Sequence, residues 1–268
     1  MSPLFSGKEW AGTRVWRAAL YSITHVIESQ LFQKVKQMKT ERGEGGVEKE
    51  QPEGVVCEQG LTFLELGAGL GVPGLVFGRL AGCRSKDKYV ITDHPSIVSQ
   101  IKANVASNFR VDGNDSCCVY ARGLDWSVDG VSEVIQSIPE LPVKGGFDVI
   151  LSTDCVYVPL YGDSYMKLAE VILECLRRNE NAVSVNVVER RRLDGVAEFV
   201  DLLESGIPSK NLAGCKSWGG RVDILKMYTE EEVADGEVAD VKGEKWASEK
   251  GEVSGRIEVY TVRGRGWT

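Results

Sequence analysis

Five short apolar runs, LTFLEL (61–66), KYVITD (88–93), CCVYA (117–121), FDVILSTD (147–154) and AVSVNVV (182–188), alternate with longer segments at helical period. Runs this apolar suit strands buried on both faces, as in a parallel sheet covered by helices. The covering helices are expected at VPGLVFGRLAG (72–82), PSIVSQIKANVASNF (95–109), SYMKLAEVILECLRR (164–178) and LDGVAEFVDLLES (193–205). Such alternation predicts an α/β fold with a doubly wound, mostly parallel, Rossmann-like sheet. Two further runs, RVDILKMY (221–228) and GRIEVYTVRGR (255–265), have no helical pattern between them and read as a C-terminal antiparallel hairpin, making seven strands in one domain over 1–268.

Upstream, Thr13 is placed to cap a helix in which Trp16, Leu20, Ile23, Ile27 and Leu31 form one apolar face. This gives an N-terminal helical entry segment over 1–38, followed by a charged linker or insertion over 39–54. Residues 229–254, rich in acidic side chains, read as an insertion in the hairpin.

Charge limits the partners. With a formal charge of -7, the chain lacks the broad basic surface that releases counterions from nucleic acid, and no stable nucleic-acid partner is expected. The seven cysteines contain no CxxC, and the histidines are His25 and His94; that is poor material for zinc, and no metal is expected. The start of the sequence has no signal-peptide core, and no run reaches the about 18 apolar residues of a membrane span. The expectation is a cytoplasmic or also nuclear monomer with buried, reduced thiols and no membrane partner.

The sharpest local signal is ELGAGLGVPG (65–74) between a strand and a helix. Glycines at 67, 69, 71 and 74 let the backbone turn tightly and approach a ligand. A dinucleotide fingerprint started at Gly67 requires glycine where this chain has Val72. Pyrophosphate also disfavours a nearby anion, and Glu65 stands two residues before the loop. A cationic ligand without phosphate suits it better, and S-adenosylmethionine is one. Asp93, ending the next strand, is spaced to accept from ribose hydroxyls. It equally suits a cap for the helix near Pro95, and the glycines equally suit a plain tight turn.

With ELGAGLGVPG, ITDHP (91–95), GLDW (123–126) and FDVILSTDCVY (147–157) in this order, the chain resembles the seven-strand protein-lysine methyltransferases grouped as methyltransferase family 16. GTRVW (12–16) is similar to the family's entry segment, and VERRRLDGVAEFVDLL (188–203) to its post-strand helix. The resemblance implies a class I methyltransferase fold, S-adenosyl-L-methionine as cofactor and a protein substrate as partner. It puts Trp16 and the backbone of Gly67, Ala68 and Gly69 against the methionine part, with Glu65 beside them. Asp93 falls on the ribose, Trp126 beside the adenine and Thr153 along the cofactor. Trp16 and Trp126 equally read as core aromatics.

The family's D-x-x-Y signature falls on Asp154 and Tyr157, the catalytic candidates, at the carboxyl edge where a parallel sheet presents its ligand crevice. There Asp154 can accept from an incoming amine, and Tyr157 can set its ring or hydroxyl beside the nitrogen. Nucleobase amino-methyltransferases of this fold instead carry two prolines after the acid or amide; Cys155 and Val156 break that pattern. Cys155 has no histidine placed to make it a nucleophile. ERRR (189–192) reads as a solvated loop at the ligand edge or as a substrate contact.

Lysine is the leading acceptor. Arginine, histidine, a small-molecule amine, a silent cofactor-fold binding module and a nicotinamide oxidoreductase remain as alternatives, the last disfavoured by Val72. Deleting Glu230 to Glu249 and closing the gap with a short glycine linker should leave cofactor binding intact, because loop length costs little closure entropy. Loss of the folded state in a thermal melt would instead mark a structural element.

Overall fold

The computed structural model describes residues 15–43, 60–81, 86–109, 118–139, 141, 146–205, 221–228 and 257–263. The expected insertion over 229–254, Thr13 and residues 44–54 of the expected linker lie outside them.

All seven strands form, in the order β3-β2-β1-β4-β5-β7-β6. They are β1 (Thr62–Leu66), β2 (Lys88–Asp93), β3 (Val119–Gly123), β4 (Val149–Thr153), β5 (Val183–Glu189), β6 (Arg221–Tyr228) and β7 (Ile257–Arg263). The first five pair in parallel, and β7 runs antiparallel to both β5 and β6. β1 and β4 are buried along their whole length, as their apolar runs require.

Alternate residues divide the core between two faces. Leu64, Leu66, Val90 and Ile150 face α5 (Val128–Gln136), α7 (Ser164–Arg178) and α8 (Val196–Ser205), meeting Val131, Leu168, Ile172 and Phe199. Phe63, Tyr89, Ile91 and Leu151 face α1 (Arg17–Glu28), α2 (Leu31–Gly43), α3 (Val72–Ala81) and α4 (Val98–Asn108). On that side Phe32 meets Phe77 edge-on with ring centroids 5.1 Å apart, and Phe63 meets Phe77 at 5.5 Å. At the amino edge Asp148 accepts from Thr62 N–H at 2.7 Å and from its hydroxyl at 2.8 Å, fixing β1 against β4.

Two helical expectations change. The N-terminal helix breaks after Glu28, with Gln30 at φ 53°, and α2 resumes at Leu31. Its buried face is Ala18, Ala19, Ser22 and Val26, while Leu20 and Ile27 are exposed at 43% and 52%. α1 packs against β5 and α3, where small side chains permit close approach, so Leu20 and Ile27 turn outward while Ile23 and Leu31 still meet the core. α5 was not anticipated; its signal is Ser127, whose hydroxyl accepts from Gly130 N–H, followed by buried Val131, Val134 and Ile135. A four-residue α6 (Val158–Tyr161) follows β4.

The β1-to-α3 crossover buries one acid. Glu65 has the parity of Phe63, so it points under α3 and is wholly buried. Its Oε2 accepts from Gly74 N–H at 2.9 Å, and Oε1 has no partner among the described residues. A Cβ on Gly74 would sit 2.6 Å from that oxygen, so the approach needs glycine. Burial, opposed by the Gly74 bond and assisted by the charge of Asp93, pushes Glu65 up to about 8.

A carboxyl raised in this way takes up a proton on folding. Its contribution to stability is complete below pH 4.5 and is lost as pH rises through about 8. Glu65→Gln cannot ionise, so its melting temperature should gain on wild type progressively across that window. A constant gap between the two melts would show that Glu65 is not held neutral.

Candidate active site

By register, Gly67, Asp93 and Thr153 stand level at the carboxyl edge, since Glu65 pairs with Ile91 and Leu66 with Ser152. A cavity of about 240 Å³ opens there. Its floor is the loop Gly67–Leu70 with Val72 and Pro73 at the start of α3. One side is Asp93, His94 and the loop after β3, with Leu124, Asp125 and Trp126. The other side is Thr153, Asp154 and Cys155 after β4, with Tyr161 and Ser164; Val15, Trp16 and Ala19 close the top.

The loop is shaped by contact as well as by φ. Gly67 has φ 60°, and a Cβ there would lie 2.6 Å from Cys155 Sγ and 3.0 Å from the Trp126 ring. Three amides of the loop are already used. Ala68 N–H donates to Thr92 O at 3.0 Å, Gly71 N–H to Ala68 O at 2.8 Å, and Gly69 N–H to Asp93 Oδ2 at 2.7 Å. With Gly74 N–H on Glu65, four donors in and just after the loop are taken internally, and the Asp93 carboxylate stands beside the loop on the cavity wall. The set therefore fits a phosphate-free cationic ligand such as S-adenosylmethionine. Among the described residues no three His, Cys, Asp or Glu side chains are grouped to hold a metal ion.

Asp93 does not cap α4, whose first turn follows Ile97 without a side-chain cap. Its oxygens brace Gly69 and, at 2.6 Å, His94 N–H. Each oxygen accepts two bonds, which leaves capacity for ribose hydroxyls. Burial raises the Asp93 pKa against the pull of those two amides.

Trp16, Gly67, Ala68, Gly69, Asp93, Trp126, Thr153 and Asp154 thus share one cavity. Two sequence candidates stand elsewhere. Glu65, paired with Gly74 beneath the loop, does not line it, because strand parity turns its side chain under α3. Tyr157 is also absent from the wall; its ring lies beside the Arg191 guanidinium, 5.1 Å from Cζ to centroid. Asp154, at φ 54°, begins this turn of the chain, and Tyr161, four residues beyond Tyr157, lines the cavity instead. Nothing in the D-x-x-Y spacing announces Tyr161, although one helical turn after Tyr157 is where a second ring could be sought. Burial raises the Cys155 thiol well above its ordinary value, consistent with an inert wall residue.

Asp154 is an ion-pair partner. Its Oδ1 and Oδ2 accept from Arg191 Nη1 and Nη2 at 2.9 and 2.7 Å, and Oδ1 also accepts from Glu189 N–H at 3.2 Å. The sequence reading left Arg191 in a solvated loop, but its side chain is only 16% exposed.

The chain is 33% identical over 139 residues to Secreted RxLR effector protein 48 of Plasmopara viticola, covering 50% of this chain and 66% of that one. It is 28% identical over 114 residues to EEF1A lysine methyltransferase 3 of Xenopus tropicalis, covering 42% and 41%. The chain thus matches less than two thirds of the length of either curated relative. Among solved structures, the DszA carbon methyltransferase is similar at a TM-score of 0.48 and 16% identity, over 94% of this chain and 56% of that one. The profile described as lysine methyltransferase matches residues 6–206 of the 268. The fold is that of a class I methyltransferase, the cofactor is S-adenosylmethionine, and the chain belongs to the lysine methyltransferase family.

Proposed function

We propose that this protein transfers a methyl group from S-adenosylmethionine to a lysine side-chain amine of a protein substrate. The observation that carries this is one cavity joining the glycine loop and Asp93 to Asp154, with aromatic rings facing a cation at its edge. Family membership and the relative whose printed name is a lysine methyltransferase support the acceptor class.

When bound, the cofactor would supply a methyl on a sulfonium, the carbon that an amine lone pair attacks in line, an N–C bond forming as the C–S bond breaks and the sulfur leaves as a thioether. Asp93 holds the ribose while it braces Gly69, and Trp126 covers the adenine end. Lysine, with an ordinary pKa near about 10.4, arrives protonated and must lose that proton before attack. Desolvation between Trp16 and the Asp154 strand end favours the neutral amine. Asp154 Oδ2, which accepts from Arg191 alone among the described residues, keeps a lone pair for an amine N–H. Positioning supplies most of the acceleration. The methylated nitrogen is cationic until it releases its proton to water.

The acceptor is tested by incubating the protein and methyl-labelled donor with a cofactor-depleted extract, then sequencing the labelled band by mass spectrometry. Label on lysine is expected; label confined to another residue or to small molecules would overturn the acceptor. Asp93→Ala should weaken cofactor binding by about 1–3 kcal/mol in calorimetry, the cost of removing a charged acceptor. An unchanged Kd would leave Asp93 as a brace for the loop. Asp154→Asn, which avoids stranding Arg191 beside an empty space, should cut single-turnover transfer far more than Tyr157→Phe, which keeps its ring. Equal turnover of Asp154→Asn and wild type with cofactor saturated would remove Asp154 from the reaction centre.

A further inference from the structure

β4 and β5 are parallel neighbours with Thr153 level with Val187. The residues that follow, Asp154 and Glu189, therefore bring two carboxylates to the same edge. Both are desolvated, with side chains 3% and 10% exposed. Two rings, Trp16 and Tyr157, complete the surroundings. Acids and aromatic faces together make a cation trap.

Arg191 fills it. Its fork grips both Asp154 oxygens, Nη2 also donates to Glu189 Oε2 at 2.7 Å, and Nη1 reaches Glu189 O at 3.4 Å. Its Cζ lies 5.1 Å from the Tyr157 centroid and 5.6 Å from that of Trp16. The backbone is pinned by Arg191 N–H on Asp194 Oδ2 at 3.0 Å.

Across the cavity, Asp93, His94 and Asp125 face Asp154 from the end of β2 and the loop after β3. From α1, Arg17 Nη1 binds Glu189 Oε1 at 3.1 Å. Arg190 turns away onto Asp194 and Glu258. Tyr161, at the end of α6, is kept protonated by burial, as is Cys155. Burial works against the Arg191 charge, but the bonds and charges of Asp154 and Glu189 outweigh it and hold its pKa above the ordinary value. The carboxylates Asp154 and Glu189 are thus matched by Arg191 and Arg17.

This balance matters to the acceptor. An uncompensated carboxylate within reach of an amine stabilises the ammonium by about 1–3 pKa units, and an ammonium has no lone pair for the methyl carbon. We propose that Arg191 is a positioning residue that, together with Arg17 on Glu189, cancels the charge of Asp154 and Glu189, so that lysine enters the site as the neutral nucleophile. The guanidinium does not give up its proton at any working pH, and it disfavours a second cation beside it. Asp154 can then accept an amine N–H without holding the amine protonated. The proposal rests on the lysine-amine reading given above.

The test uses the full chain as wild type, Arg191→Lys, Arg191→Met and the double variant Arg191→Met/Glu189→Gln. The double variant lowers the local negative charge by one while Arg17 stays in place, and safeguards against misfolding of Arg191→Met; thermal melts and cofactor titration establish that each is folded. In the first measurement, n-butylammonium chloride is titrated calorimetrically with no acceptor protein present. Arg191→Met should bind it at least about tenfold more tightly than wild type or Arg191→Lys, in keeping with an exposed carboxylate between two rings. Equal weak binding by all folded variants would overturn the proposal.

In the second, single-turnover transfer to the lysine-bearing acceptor is followed against pH with cofactor saturated. Wild type and Arg191→Lys should share an ascending limb. That of Arg191→Met should lie about one pH unit or more higher, converge with wild type at high pH, and move part of the way back in the double variant. A drop of equal size at every pH would mark a purely structural arginine. Faster turnover of Arg191→Met on an unshifted limb would mark an occupant that substrate must displace; either result overturns the proposal. If wild type methylates no lysine at all, the functional reading falls and takes this one with it. That failure is distinguished from the others because butylammonium binding is measured without any acceptor.

Discussion

The parallel pairing of β1 with β4 and β2 is the constraint on which the site depends. Asp148 ties Thr62 at the amino edge, and continuous apolar runs fill both faces of the strands. The strands therefore end level at the opposite edge, and the residues after them arrive together. Gly67 packs against Cys155 and Trp126 there so closely that a single Cβ would collide with both. The cavity is in this sense a by-product of the register, furnished by the loops that leave the sheet.

That edge carries an unusual density of buried acid, and each carboxylate is neutralised differently. Glu65 lies beneath the loop with a backbone amide on one oxygen and is pushed up by burial. Asp93 has two backbone amides and remains on the cavity wall. Asp154 and Glu189 have guanidinium groups. A buried charge without a partner is costly enough to protonate or to unfold the chain, so these pairings are conditions of the fold as much as of the chemistry. They also set this loop, with Gly69 and Gly74 N–H turned onto carboxyl oxygens, apart from glycine loops that cradle phosphate.

Much of this was legible in the sequence. Strand runs, the four interstrand helices expected, and the terminal hairpin all fall within a few residues of their observed positions, because two-face burial and helical period leave marks in adjacent residues. α7 matches its run from Ser164 to Arg178. Gly67, Gly69, Asp93, Trp126 and Asp154 were visible as motif positions and meet in one cavity. The apolar stripe of the first helix misled, since period identifies a face but not whether small residues on the opposite side will allow a closer approach; Ala18, Ala19 and Ser22 did so.

By itself, then, the sequence determined the element order, the parallel sheet and the loop between β1 and α3. Tertiary structure decided which charges meet. Glu65 and Gly74 are nine residues apart and the direction of Glu65 follows strand parity, but Asp154 and Arg191 are separated by 37 positions and touch because β4 and β5 are neighbours. Arg17 reaches Glu189 across 172 positions because α1 packs on β5. Local spacing records what a residue does to its chain neighbours. The pairing of buried charges depends on strand order and helix docking, which no short stretch of sequence encodes.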